Sequence, residues 1–291
     1  MRGVWVSVLF VTAAAVMSFN TGCGGSEKSL PQHVPENTGQ AGATAVVAVP
    51  DKSEPAAVAV VGRAVKAATD GNPARVERAK VNRLRMKGTV MGPNGPVPSR
   101  RLVEAVWPDR LAQTDEFGSD SGFGKTLVRL RRPVLWVGRI AEGKAVPVEF
   151  ADGKAPEAAI AAESVGRHWM AVLVPLADSR TVVFDAKKLL LNGQPADVIR
   201  AAAPGTPVFT LWFDEKSGLL LQVGFSQVEP GNTKPTDKVF TLRDHRATDG
   251  LMVPGRIEYR QSALPLPLEE WAVEGWEFPE RIEEGGFDPP K

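Results

Sequence analysis

The sequence predicts an α+β fold in which short antiparallel strands run in series and helices occur only near the front and in the middle. Three observations carry this. Glycine and proline number 28 and 24 among 291 residues, which favours turn-rich strand structure over a helical bundle. From residue 83 onward, short alternating or apolar segments are separated by turn signals. Helical spacing of apolar residues is sustained only in 56–71, with a short continuation over 74–82, and in 155–173. Charged residues make up 24% and hydrophobic residues 43%, with a formal net charge of +1. That balance suits a globular chain and gives no general electrostatic pull toward nucleic acid.

The N-terminus reads as an address. Arg2 precedes an uncharged apolar run over residues 4–19, rather short for a membrane span and suited to a secretory signal. It ends in Asn20-Thr21-Gly22-Cys23-Gly24-Gly25, and Cys23 is the single cysteine of the sequence. No disulfide within the chain and no cysteine zinc site can therefore form. Gly22 followed by Cys23 resembles the end of a bacterial lipoprotein signal, although Asn20 stands where an apolar residue is usual. The resemblance implies lipidation of Cys23, cleavage before it, and a membrane partner reached through the N-terminal lipid. The expected organisation is a signal peptide over 1–22, a disordered tether over 23–55 and one domain over 56–291. The tether reading rests on Ser, Gly, Pro, Ala, Gln and Glu without a sustained period.

Within the domain, residues 56–71 have helical spacing and a glycine stop. Residues 83–91 alternate, with Leu84, Met86, Gly88 and Val90 on one face and Arg85, Lys87 and Thr89 on the other. The stretch GPNGPVP reads as a turn, followed by strands over 100–107, 110–117 and 125–140. Residues 155–173 form the one long helical run of the middle, with Pro156 tolerated in a first turn. Strands then return to the end of the chain. Asn192-Gly193, residues 214–218 and Asp249-Gly250 supply hairpin turns. The runs LLL at 189–191, LWF at 211–213 and LLLQVGF at 219–225 place large residues on both strand faces. One face can pack on the middle helix; the other needs a second layer, a partner or a ligand.

The tempting motifs are weak. GSDSGFGKT, residues 118–126, ends like a phosphate-binding loop, but Gly118 stands one residue too early. The residues after it alternate and reach Pro133, so they read as a strand, whereas a phosphate loop must open a helix. No nucleotide is expected there. Of three histidines, His33 lies in the tether, His168 reads as a packing or surface residue, and His245 sits in a turn with Asp244 and Asp249. None has a metal-ligand spacing. Glu269-Glu270 and Glu283-Glu284 read as solvated faces, as does the basic strand bearing Arg129, Arg131 and Arg132. No G-x-S-x-G elbow occurs. No cofactor, metal or enzymatic activity is expected.

Several stretches together resemble the LolA/LolB-like superfamily of periplasmic lipoprotein carriers. VNRLRMKGTV after a helix is similar to its first strand, and VFTLWFDEKSGLLLQVGF to a hairpin with a D-x-x-[ST]-G-L turn. TLRDHRATDGLMVPGRIEYR is similar to the next strand–turn–strand unit, and EEWAVEGWEF with GGFDPP to the last strand and tail. The resemblance spans about residues 76–290. It implies an incomplete antiparallel β-barrel, curved around a hydrophobic cavity, with helices covering the concave face. It also implies a lipid or lipoprotein ligand whose acyl chain replaces water against apolar walls. Candidate cavity or lid residues are Trp107, Trp136, Trp169, Leu173, Leu211 and Phe213. Two functions stay open. One is a lipid-anchored envelope protein that binds an acyl chain. The other is a lipoprotein that docks another envelope protein and takes no ligand.

Overall fold

The computed structural model describes residues 47–150, 156–228, 234–262 and 264–290. The signal peptide, Cys23, His33 and the tether up to residue 46 lie outside these. Helix α1 (Pro55–Thr69) starts with proline in its first turn and ends on Asp70 in the left-handed region. It buries Ala57, Val60, Ala64 and Ala68, the three-and-four spacing of one helical face. Helix α2 (Ala74–Arg78) is shorter than the sequence spacing implied. Strand β1 (Val81–Gly92) takes over shortly after it.

Five strands then meander: β2 (Gly95–Val106), β3 (Arg110–Phe117), β4 (Lys125–Arg131), β5 (Val134–Ala141) and β6 (Lys144–Pro147). The turn expected over GPNGPVP is confined to Pro93 and Asn94, and Gly95 to Pro98 already pair with β1. The second half contributes β7 (Val182–Leu191), β8 (Gln194–Ala202), β9 (Val208–Asp214), β10 (Leu220–Val228) and β11 (Pro235–Arg243). A small separate hairpin of β12 (Arg246–Thr248) and β13 (Leu251–Val253) precedes β14 (Arg256–Gln261) and β15 (Glu269–Glu277). Asn192 and Gly193 both take positive φ, at 52° and 79°, as a primed two-residue hairpin turn requires.

Thirteen strands form one antiparallel sheet in the order β6-β5-β4-β3-β2-β1-β15-β14-β11-β10-β9-β8-β7. Pairing of β15 with β1 joins the two halves at the centre. Gly88 belongs to that seam: a β-carbon there would lie 1.8 Å from the Glu270 carbonyl oxygen. The sheet is curved and unclosed, since β6 and β7 are its two edges. This is the α+β open barrel the resemblance implied. Both edges are blunted, as edge strands need to be. Strand β6 is four residues long and ends in Pro147. On β7, the Glu54 amide donates to the Val183 carbonyl at 2.9 Å, and the Val183 amide donates to Ser53 Oγ at 3.1 Å. The last residues assigned to the tether are thus held against the sheet.

The connection from β6 to β7 must run from one edge of the sheet to the other. It does so across the concave face. Helix α3 (Glu157–Ser164) passes into a π turn (Val165–Trp169) and a 3-10 turn (Met170–Val172). Leu173 then takes φ 60° before the short helix α4 (Val174–Ala177). The single long helix expected over 155–173 is therefore broken into tighter and wider turns. The cause is packing: residues 159–175 are all buried, so the backbone follows the walls of the half-barrel rather than its own preferred pitch. We call residues 156–177 the plug.

Candidate functional site

The concave face is the place where this architecture can hold something, and residues decide it by parity. On β2, Arg101, Val103 and Ala105 are buried and point inward; on β3, Leu111 and Asp115 do so. On β15 the inward residues are Glu269, Trp271 and Val273. Phe209, Leu211 and Phe213 on β9 and Phe240 on β11 line the opposite wall. The plug lies between. Gly166 permits its closest approach: a β-carbon would lie 3.0 Å from the Phe240 ring and 3.3 Å from Phe209.

A belt of charged groups crosses this otherwise apolar interior. Arg101 clamps Asp115 with two hydrogen bonds, Nε to Oδ1 at 2.6 Å and a terminal nitrogen to Oδ2 at 3.1 Å. Its other terminal nitrogen reaches Glu269 Oε2 at 2.8 Å, and its guanidinium lies 4.4 Å over Trp271. Gln113 donates to Asp115 at 2.8 Å, and Trp271 Nε1 donates to Glu269 at 2.8 Å. From the plug, Arg167 pairs with the same Glu269 oxygen at 3.0 Å, while Glu163 receives Lys238 of β11. The plug is docked by reciprocal pairs, its carboxylate onto a sheet lysine and its guanidinium onto a sheet carboxylate.

This pairing sets the electrostatics. Burial pushes the Glu269 carboxyl up, but Arg101 and Arg167 outweigh it and hold it at about 2. Burial also works against the Arg101 charge, and Asp115 with Glu269 overcomes it, so Arg101 stays protonated. Burial, reinforced by Glu163, holds the Tyr259 phenol well above its ordinary value. Burial, then the charges of Arg167 and Arg101, push His168 well below its ordinary value. Three consecutive plug residues carry buried polar atoms without a hydrogen-bond partner among the described residues: Arg167 Nε, His168 Nδ1 and Trp169 Nε1. A polar cavity of about 20 Å³ adjoins Arg101, Gln113, Arg167 and His168, room for a single water. Asp115 and Glu269 are held by arginine, and Ser164 Oγ donates to the Ile160 carbonyl at 2.7 Å. Such a belt holds the plug against the sheet.

Of the candidate cavity residues, Trp169, Leu173, Leu211 and Phe213 are buried in the core. Trp107 stacks edge-on against Trp169 at 5.4 Å, and its Nε1 donates to Asp178 at 3.0 Å. Trp136 sits elsewhere. Val137 points into the core, so Trp136 takes the outer face of β5, where its ring covers Gly138. It is no cavity residue, because strand parity puts it on the convex side. Glu269 departs from the solvated face expected of Glu269-Glu270: it is buried, and only Glu270 is exposed. Arg129 is likewise partly buried, donating to the carbonyls of Gln113 and Val128. His168 proves fully buried. The belt itself escaped sequence reading; the available signal was a charge at an inward-parity position of an otherwise apolar strand, as at Arg101 and Glu269.

GSDSGFGKT is a loop. Ser119–Ser121 form a 3-10 turn, Gly122 and Gly124 take φ 71° and 66°, and β4 begins at Lys125. Lys125 Nζ bonds Glu116 at 2.8 Å across the hairpin. Among the described residues, no helix is long and apolar enough to cross a membrane.

The class of protein that fold and site define is an open antiparallel half-barrel with an internally plugged, charge-belted concave face. No family model matches the chain, and no curated protein matches it. Solved structures do. An outer membrane lipoprotein-sorting protein domain from Vibrio parahaemolyticus is 13% identical, with a TM-score of 0.46 over 74% of this chain and 94% of that one. A DUF1329 family protein from Desulfovibrio piger is 8% identical, at 0.47 over 80% and 97%. A LolA superfamily protein from Nitrosomonas europaea is 9% identical, at 0.45 over 73% and 95%. At these scores the likeness carries no conclusion about function, and the fold rests on the topology above.

Proposed function

We propose that this is a lipid-anchored cell-envelope protein, exposed to the periplasm or the cell surface, which binds an acyl chain of a lipid or lipoprotein in its half-barrel. The observation that carries the reading is the plug. Ile160, Val165, Trp169, Met170, Val172 and Leu173 fill an apolar concave wall, yet the segment has broken helical geometry and leaves three buried polar atoms without partners among the described residues. An acyl chain offers the wall equivalent apolar surface at about 25 cal/mol per Å² and no polar atoms to strand. Binding then exchanges the plug for the ligand. Cys23 is the proposed lipidation site, and membrane attachment through it keeps the domain near acylated partners.

The experiment is native mass spectrometry of the domain purified from membranes, with titration of a fluorescent fatty acid at neutral pH. Co-purifying lipid, or saturable micromolar binding that unlabelled fatty acid displaces, supports the reading. Absence of both sinks it. One observation favours the second reading, a docking lipoprotein without a ligand: the plug side chains already fill the concave wall they cover. Binding of no fatty acid, even by a variant whose plug is forced out, decides for that alternative.

A further inference from the structure

The strongest unexplained feature of the interior is His168. It is 1% exposed, its Nδ1 has no hydrogen-bond partner among the described residues, and it borders the polar cavity. The charged groups sharing that cavity are Arg101 of β2, Glu269 of β15, and Glu163 and Arg167 of the plug itself, with Gln113 of β3 beside them. Every carboxylate there is already engaged. Glu269 is shared by the two arginines, Asp115 behind it is clamped by Arg101, and Glu163 holds Lys238 and accepts a long bond from the Tyr259 hydroxyl.

We propose that His168 makes the plug an acid-sensitive latch: a proton on its ring adds a third cation beside Arg101 and Arg167, and the plug leaves the concave face. The cavity beside the ring has room for a single water, and its carboxylates are already taken up by Arg101, Arg167 and Lys238, so the added proton finds no free counter-ion among the described residues, and a buried charge without a partner is not tolerated. With the ring neutral, the reciprocal pairs Glu163–Lys238 and Arg167–Glu269 hold the plug shut. With the ring charged, the open form, in which His168 meets water, is favoured. Linkage gives the sign. Burial and the two arginines depress the His168 value in the closed form, so the open form binds the extra proton and gains on the closed form as pH falls below about 6.5. The latch does not depend on what the half-barrel binds, and it fails or stands apart from acyl binding measured at neutral pH.

The test is amide hydrogen exchange of the full chain by mass spectrometry, corrected for intrinsic rates, between pH 7.5 and 4.5. An ordinary histidine in the open form and an unprotonated one in the closed form require the opening constant of residues 160–177 to rise about hundredfold. His168→Gln holds that rise to no more than about twofold, the most Glu269 can add when Arg167 leaves and Arg101 stays, whereas His245→Gln behaves as the parent. Strands β1 and β2 keep their protection throughout. The latch is overturned if the parent shows no rise, if His168→Gln opens like the parent, or if β1 and β2 open together with the plug. Should His168→Gln fail to fold at pH 7.5, NMR titration of His168 in the parent decides. Protonation in the same step as opening supports the latch; protonation without opening, or opening with the ring neutral, overturns it.

Discussion

Arg101 does the most work of any single residue. It satisfies two buried carboxylates and lies over an indole, at the point where β2, β3 and β15 approach one another. Arg101→Met strands Asp115, so a loss of about 3–5 kcal/mol in urea unfolding is expected. Arg101→Met combined with Asp115→Leu recovers a good part of that loss, because the stranded charge goes with the cation. Glu269 sets a pH dependence of its own. Its folded value of about 2 lies below its ordinary 4.5. Its stabilisation is therefore complete above about pH 4.5 and drains as pH falls toward 2. Glu269→Gln removes that slope from unfolding curves recorded between pH 5 and 2.5. Lys125 is the contrasting case. Its pair with Glu116 is exposed on both sides, and Lys125→Ala shifts unfolding by no more than about 0.5 kcal/mol.

At the scale of elements, the plug is the part whose form and place were set by its surroundings. It connects two strands at opposite edges, so it crosses the concave face whatever its own preference. Gly166 is the contact that lets it sit deep, against Phe240 and Phe209. Gly166→Leu overfills that contact while leaving every strand pair intact. The expected outcome is release of the plug with the far-ultraviolet β signal retained, and fatty-acid affinity raised about tenfold in a fluorescence titration. Unchanged or weaker binding with the plug released would count against an acyl site. The β1–β15 seam is less forgiving. Gly88→Ala drives a methyl into the Glu270 carbonyl, and a loss of about 1–3 kcal/mol is expected in thermal or urea unfolding.

For the whole molecule, the proposed anchor and the half-barrel make separate predictions. Cells expressing the parent incorporate radiolabelled palmitate into the chain, and Cys23→Ala loses the label and moves to the soluble fraction. Equal labelling of both forms would remove the anchor while leaving the fold untouched. The two halves of the sheet also differ in how they close. Strands β2 to β6 pair only with sequence neighbours, whereas β15 must travel back to β1. The central seam is thus the long-range contact on which the curved shape depends.

Much of this was legible in the sequence. Alternation in Leu84, Met86 and Val90 marked β1, Asn192-Gly193 marked the β7–β8 turn, and strand-like residues after Lys125 disposed of the phosphate loop. These are local signals: period, turn chemistry and propensity act over a few residues, so sequence determines them by itself. Only the tertiary structure decided which faces meet. Trp136 went to the convex side, Glu269 to the inside beside an exposed Glu270, and the expected middle helix became a broken plug. Arg101, Asp115, Glu163, Arg167, Lys238 and Glu269 are scattered along the chain and acquire meaning only when the curved sheet brings them within hydrogen-bond reach. A charge looks solvated in sequence because isolated burial costs so much; its partners, which make burial tolerable, are supplied by the fold.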